Sequence, residues 1–108
     1  MHHIFPEARY PEISAYLENL IALSPTQHYT YAHPMGNTQV VDPEYQQICL
    51  IAKSSSIQEN LAGPEDLVIY EFNRFLYVLA TGFSNDDFEE IDHMDFEGVI
   101  TKINLQYA

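Results

Sequence analysis

The sequence predicts a single α+β domain over residues 1–108: an antiparallel β-sheet of about four to five strands with an N-terminal amphipathic helix packed on it. Three observations lead there. Apolar residues recur at helical spacing over residues 10–24. β-Branched and aromatic residues crowd residues 66–82 on both sides of Asn73-Arg74. Apolar and polar residues alternate over residues 98–107. At 108 residues, 46% hydrophobic and 13% aromatic, the chain has the length and composition for one modest core.

In residues 10–24, Ile13, Leu17, Leu20 and Ile21 form the apolar stripe, joined by Tyr16 and Leu23. Pro11 suits a first-turn position, Glu12 favours the positive end of the helix dipole, and Ser24-Pro25 ends the element. Glu18 and Asn19 fall on the wet side. In 26–41, H-Y-T-Y-A and T-Q-V-V are short strands flanking the turn H-P-M-G-N.

Residues 45–53 carry two readings. Asp42-Pro43-Glu44 opens a helix well, with Asp as cap and Pro at the first position. Yet I-C-L-I-A is short, continuous and partly β-branched, and S-S-S follows it, which favours a strand. S-I-Q-E-N-L-A-G63 is then a short helical turn closed by glycine. Residues 66–82 read as a hairpin turning at Asn73-Arg74, with a buried helix as the competing reading. Both arms are apolar on both parities, as central strands covered on both faces would be. In 98–107, Val99, Thr101, Ile103, Leu105 and Tyr107 share one face of a half-exposed strand, with Ile100, Lys102, Asn104 and Gln106 on the other.

Charge is the unusual feature. Arg9, Lys53, Arg74 and Lys102 are the only cations against sixteen acids, a net of −12. Such a chain repels nucleic acid and anionic membranes and attracts basic surfaces. No run reaches the roughly 18 apolar residues of a membrane span. The opening M-H-H-I-F-P-E lacks the basic and apolar regions of a signal peptide. The lone Cys49 sits in an apolar run, as a buried free thiol does. A reducing, cytoplasmic setting is expected.

Seven of the sixteen acids fall in S84-N-D-D-F-E-E-I-D-H-M-D-F-E-G98: Asp86, Asp87, Glu89, Glu90, Asp92, Asp95 and Glu97. Phe88 and Phe96 interrupt them and are expected to anchor the run to the body. A calcium loop needs glycine at its sixth position. Counting from Asp86 or Asp87, that position is Ile91 or Asp92. Catalysis would need a pocket and donors to place a substrate, and no cation is near in sequence. There is no phosphate loop, G-x-S-x-G, H-E-x-x-H or C-x-x-C. His2, His3, His28, His33 and His93 show no metal-ligand spacing. No cofactor and no metal are expected.

Recognition is the reading that remains, weighed against a solvated acidic loop that serves solubility alone. Carboxylates spread along one segment occupy a basic groove as phosphates would. Tyr29 and Tyr31 join the seven acids as candidate contacts, because tyrosine offers large area at low entropic cost. The expected function is a non-catalytic binding protein that masks the basic surface of a nucleic-acid-binding protein or nuclease. It would act as an immunity protein for a nuclease toxin or as a DNA mimic with an anti-defence role. It would bind no nucleic acid or membrane itself and exist as a monomer or small homo-oligomer. The alternative is a structural or regulatory subunit held in a larger complex by aromatic and sheet-edge contacts.

Overall fold

A computed structural model describes residues 1–22 and 42–108. The expected strands within 26–41, with Tyr29 and Tyr31, lie outside the described residues. The fold is mostly helical, which overturns the α+β expectation. Its only described sheet is β1 (His2–His3) paired antiparallel with β2 (Leu20–Ile21), with His2 opposite Ile21 and His3 opposite Leu20. Three helices form the body: α1 (Pro43–Ala62), α2 (Phe72–Phe83) and α3 (Phe96–Gln106).

The helix expected at 10–24 is replaced by two single 3₁₀ turns, Pro11–Ile13 and Leu17–Asn19, leading into β2. Ile13 is buried as the stripe requires, but at residues 17–19 the burial is the reverse of the helical reading. Glu18 and Asn19 are fully buried, whereas Leu17 is exposed. Tertiary hydrogen bonds account for this. The Asn19 side chain accepts from the Phe5 amide at 2.8 Å and donates to the Phe5 carbonyl at 3.1 Å. Glu18 Oε2 accepts the Glu71 amide at 2.9 Å, just ahead of α2. Local periodicity yields when polar side chains find such partners inside.

Residues 45–53 are helical, not a strand. Asp42-Pro43-Glu44 opens α1 as its residue types require, although the Asp42 side chain makes no cap hydrogen bond. The buried positions Cys49, Leu50, Lys53, Ser54 and Ile57 follow a helical stripe, but two of them are polar, which hides the period. Ser54 is tolerated there because its hydroxyl donates to the Leu50 carbonyl at 2.8 Å. Gly63 follows the helix end, as expected for that glycine.

The hairpin is likewise absent. Asn73 and Arg74 lie in the first turn of α2, so the competing helical reading holds for 72–83. Both parities are apolar because the buried face of α2 is broad: Phe72, Phe75, Leu76, Val78, Leu79 and Ala80 are all buried, while Asn73 and Tyr77 stay exposed. Gly82 lets the N-terminal segment approach, since a Cβ there would collide with the Phe5 ring. Ser84 at φ 52° then closes the helix by donating its amide back to Ala80 and Thr81.

The alternating segment 98–107 is α3. Phe96, Val99 and Ile103 form its buried stripe, and Asp95 caps it by accepting the Gly98 amide at 3.0 Å. A capped helix start in D-F-E-G overrides the β-branched alternation after it. α3 packs against α1, and the core is one cluster centred on α2.

The buried carboxylate of Glu18 carries a pH signature. Its Oε1 has no hydrogen bond and faces Arg74 Nε at 3.9 Å, while Arg74 also pairs with Glu71. Desolvation raises the Glu18 pKa above 4.5, opposed by hydrogen bonding and by the charges of Arg74 and Lys53. A raised folded-state pKa means the proton is held more tightly in the fold. The stability from neutral Glu18 is therefore complete below the unfolded pKa and lost as pH rises through the folded one. Comparing urea midpoints with Glu18→Gln isolates this group from the other carboxylates. The wild type should gain stability relative to the variant as pH falls from 7 toward 4.5; a constant or falling difference contradicts the assignment.

Candidate recognition surface

The acidic run forms an arch over α2. Asn85 starts it by accepting the Asp87 amide at 3.1 Å, and residues Asp86–Glu90 make a 3₁₀ turn packed on α2. Acids in that first turn suit the exposed amides of a helical start. Phe88 is fully buried and stacks on Phe83 with ring centroids 5.4 Å apart and planes at 17°. The chain reverses at Met94, where φ is 65°, and Asp95 caps α3. Phe96 is buried edge-on against Phe72 at 5.1 Å, and His93 meets the same Phe72 ring at 5.5 Å.

Phe88 is thus held at one end of α2 and Phe96 at the other, so both anchors expected from the sequence are buried. The eleven steps from Phe72 to Phe83 rise about 16 Å. The arch runs back along that length. Between and beside its anchors, Asp86, Asp87, Glu89, Glu90, Asp92, Asp95 and Glu97 are all exposed. None of the seven forms an ion pair among the described residues. Asp95 alone has a visible structural duty, as the cap.

Three of the four cations are engaged away from the arch, and the fourth, Lys102, lies beside it. Lys53 is buried and donates to the Tyr70 hydroxyl at 2.7 Å. Arg74 serves Glu18 and Glu71, with its guanidinium 5.6 Å from the Tyr16 ring. Arg9 lies over Tyr10 at 5.8 Å, and Lys102 over Phe88 at 5.7 Å. Of sixteen acids, only Glu18 is buried and Asp42 half-buried; the other fourteen are exposed. The surface field is therefore negative and scarcely offset.

Two shallow grooves flank the arch. One, of about 520 Å³, runs toward α3 between Ile91, Asp95, Glu97, Thr101, Lys102 and Leu105. The other, of about 300 Å³, lies toward α2 between Asn73, Leu76, Tyr77 and Glu89. Each joins apolar surface to a carboxylate. Among the described residues, no three His, Cys, Asp or Glu side chains group as a metal site. Burial pushes the Cys49 thiol up to about 11, leaving it protonated and unreactive at neutral pH. Tyr107 is half-buried against Phe83, its hydroxyl donating to Gln46 at 2.6 Å. No described helix is long and apolar enough to cross a membrane.

Sequence reasoning missed two features away from this surface. The burial of Glu18 has no local signal. The exposure of Leu67, Val68 and Ile69 was hidden because they were assigned to a central strand. Comparison with protein-family models, curated proteins and solved structures gives no match.

The anchoring has a measurable cost if removed. Phe88→Ala should destabilise the fold by about 3–5 kcal/mol. Asp95→Ala should cost about 1 kcal/mol through the lost cap. Glu89→Gln should stay within about 0.5 kcal/mol. Urea unfolding gives all three; a Phe88→Ala variant as stable as the wild type contradicts the anchored arch.

Proposed function

We propose that this chain is a non-catalytic binding protein whose acidic arch masks the basic, nucleic-acid-binding surface of a partner protein. The observation that carries the reading is seven exposed carboxylates without ion pairs among the described residues, on a segment pinned by two buried aromatics. The four that lie between the anchors, Glu89, Glu90, Asp92 and Asp95, fall within that helix length of about 16 Å, one negative charge per roughly 4 Å. Duplex DNA carries one per about 1.7 Å of axis and a single strand one per about 3.4 Å. A groove built for phosphates would meet comparable charge here and release its counterions in the same way. Fixed charge also steers encounter with a basic partner and raises the association rate.

Both forms of the proposal, nuclease immunity and DNA mimicry in an anti-defence role, use this surface alike. A reducing cytoplasm, no direct nucleic-acid or membrane binding, and a monomeric or small homo-oligomeric state belong to the same proposal. For the subunit alternative, the sheet edge among the described residues is limited to strands of two residues.

Affinity capture from the native host at low salt identifies the partner, and its basic surface is then titrated with labelled duplex. Stoichiometric protein should displace the duplex. Asp87→Lys, Glu90→Lys and Asp92→Lys together should weaken the complex by roughly tenfold or more, chiefly through slower association. Asn and Gln at the same positions should cause a smaller loss with a flatter salt dependence. A triple reversal that binds as tightly as the wild type reduces the arch to a solvated loop.

A further inference from the structure

We propose a second interaction surface, at Leu67, Val68 and Ile69, that docks a basic amphipathic segment of a partner protein. It is built from the end of α1 and the link to α2, not from the acidic arch, and goes beyond the function proposed above. The three aliphatic side chains are consecutive and 63%, 36% and 56% exposed. Scattered exposed aliphatics are ordinary, but a contiguous trio rimmed by charge marks a contact site.

The segment is shaped before any partner arrives. The Asn60 side chain donates to the Leu67 carbonyl at 3.0 Å and accepts the amides of Ile69 at 3.0 Å and Tyr70 at 3.4 Å. The Leu67 amide goes to Pro64 and the Val68 amide to Glu65. The Glu71 amide goes to Glu18. Every amide from Leu67 to Glu71 is therefore committed, so a partner strand could not pair here by accepting them. The surface acts through side chains, and its order is already in place, which lowers the entropy lost on binding.

Charge selects the occupant. Glu59, Glu65, Asp66 and Glu71 are exposed around the trio. The nearby cations are turned away: Lys53 is buried on Tyr70, and Arg74 is paired with Glu71 and Glu18. Beside Leu67, a hollow of about 360 Å³ opens between Glu59, Pro64, Leu67 and Tyr70. That is an apolar wall with a carboxylate at its edge, which suits a lysine or arginine: the stem lies on Leu67 and Pro64 and the head reaches Glu59. A second copy of this chain would bring the same acidic rim against itself, at −12 per chain. An apolar helix face flanked by basic residues fits both halves of the surface.

The test uses a short helical peptide with leucines on one face and lysines on the other, followed by NMR on the full chain at moderate salt. Binding should shift the signals of Leu67, Val68, Ile69 and Asn60. Replacing the lysines with glutamate, or the leucines with serine, should weaken it by about tenfold or more, since a contact centre needs its apolar core and its matched rim. Leu67→Ser with Ile69→Ser, both exposed positions, should keep the fold's melting temperature and lose the peptide to a similar degree. The triple charge reversal of the arch should keep the shifts at residues 67–69, which separates this surface from the arch. Shifts confined to residues 86–97 overturn the proposal, as does undiminished binding by the serine variant. So does a wild-type dimer that the serine variant converts to monomer, because the occupant is then a second copy.

Discussion

Helix α2 grips both ends of the acidic arch, and the rest of the molecule is arranged around that grip. Phe83 at one end stacks on Phe88, and Phe72 at the other takes Phe96 and His93 edge-on. Each aromatic contact adds about 0.5–1.5 kcal/mol beyond the area it buries. Their greater effect is geometric. A segment with seven carboxylates repels itself and would expand in solution. Two buried phenylalanines, one helix length apart, hold it down along α2. The charge is thereby fixed in place and left facing solvent.

Such a grip needs a rigid α2, and the sequence around it supplies this at some electrostatic cost. α1 and α3 cover it on the side of Leu50, Ile57, Val99 and Ile103, while Ile4, Phe5 and Ile13 complete the core from the N-terminal segment. Glu18 reaches the start of α2 and takes the Glu71 amide. The helix dipole favours a carboxylate there, but burial opposes its charge, and the raised pKa shows that desolvation is the larger effect. Arg74 faces this buried acid at 3.9 Å and also pairs with Glu71, while Lys53 is buried against Tyr70. Two of the chain's four cations are thus taken up at or near the interior, which leaves the exterior more negative than the residue count alone implies.

The features legible in the sequence were those that depend on residue type at one point. Phe88 and Phe96 stood out as apolar residues among acids. Asp42-Pro43-Glu44 carried a helix-start signal, although the segment after it read as a strand, and Gly63 closed what read as a separate short helical turn. The secondary structure was misread where a pattern had to be weighed against its surroundings. α2 buries six of its twelve residues over one broad face, and so wide an apolar face resembles a pair of buried strands. α3 alternates by chance in its β-branched residues, while its period lies in Phe96, Val99 and Ile103. The N-terminal stripe was genuine in spacing, but Glu18 and Asn19 found partners more than ten residues away that no local window contains. The candidate surface was legible as a charge cluster; its anchoring over α2 came only with the fold.

The sharpest distinction is between a fixed charged surface and a solvated acidic loop, and backbone order reports on it directly. ¹⁵N relaxation of the free protein gives an order parameter for each amide in the arch. If α2 holds the arch, the amides from Asp86 to Glu97 should match those of α2, near about 0.85. Values below about 0.6 across Glu89 to Met94, with α2 itself rigid, would show a loop that moves independently of its anchors and would contradict the account.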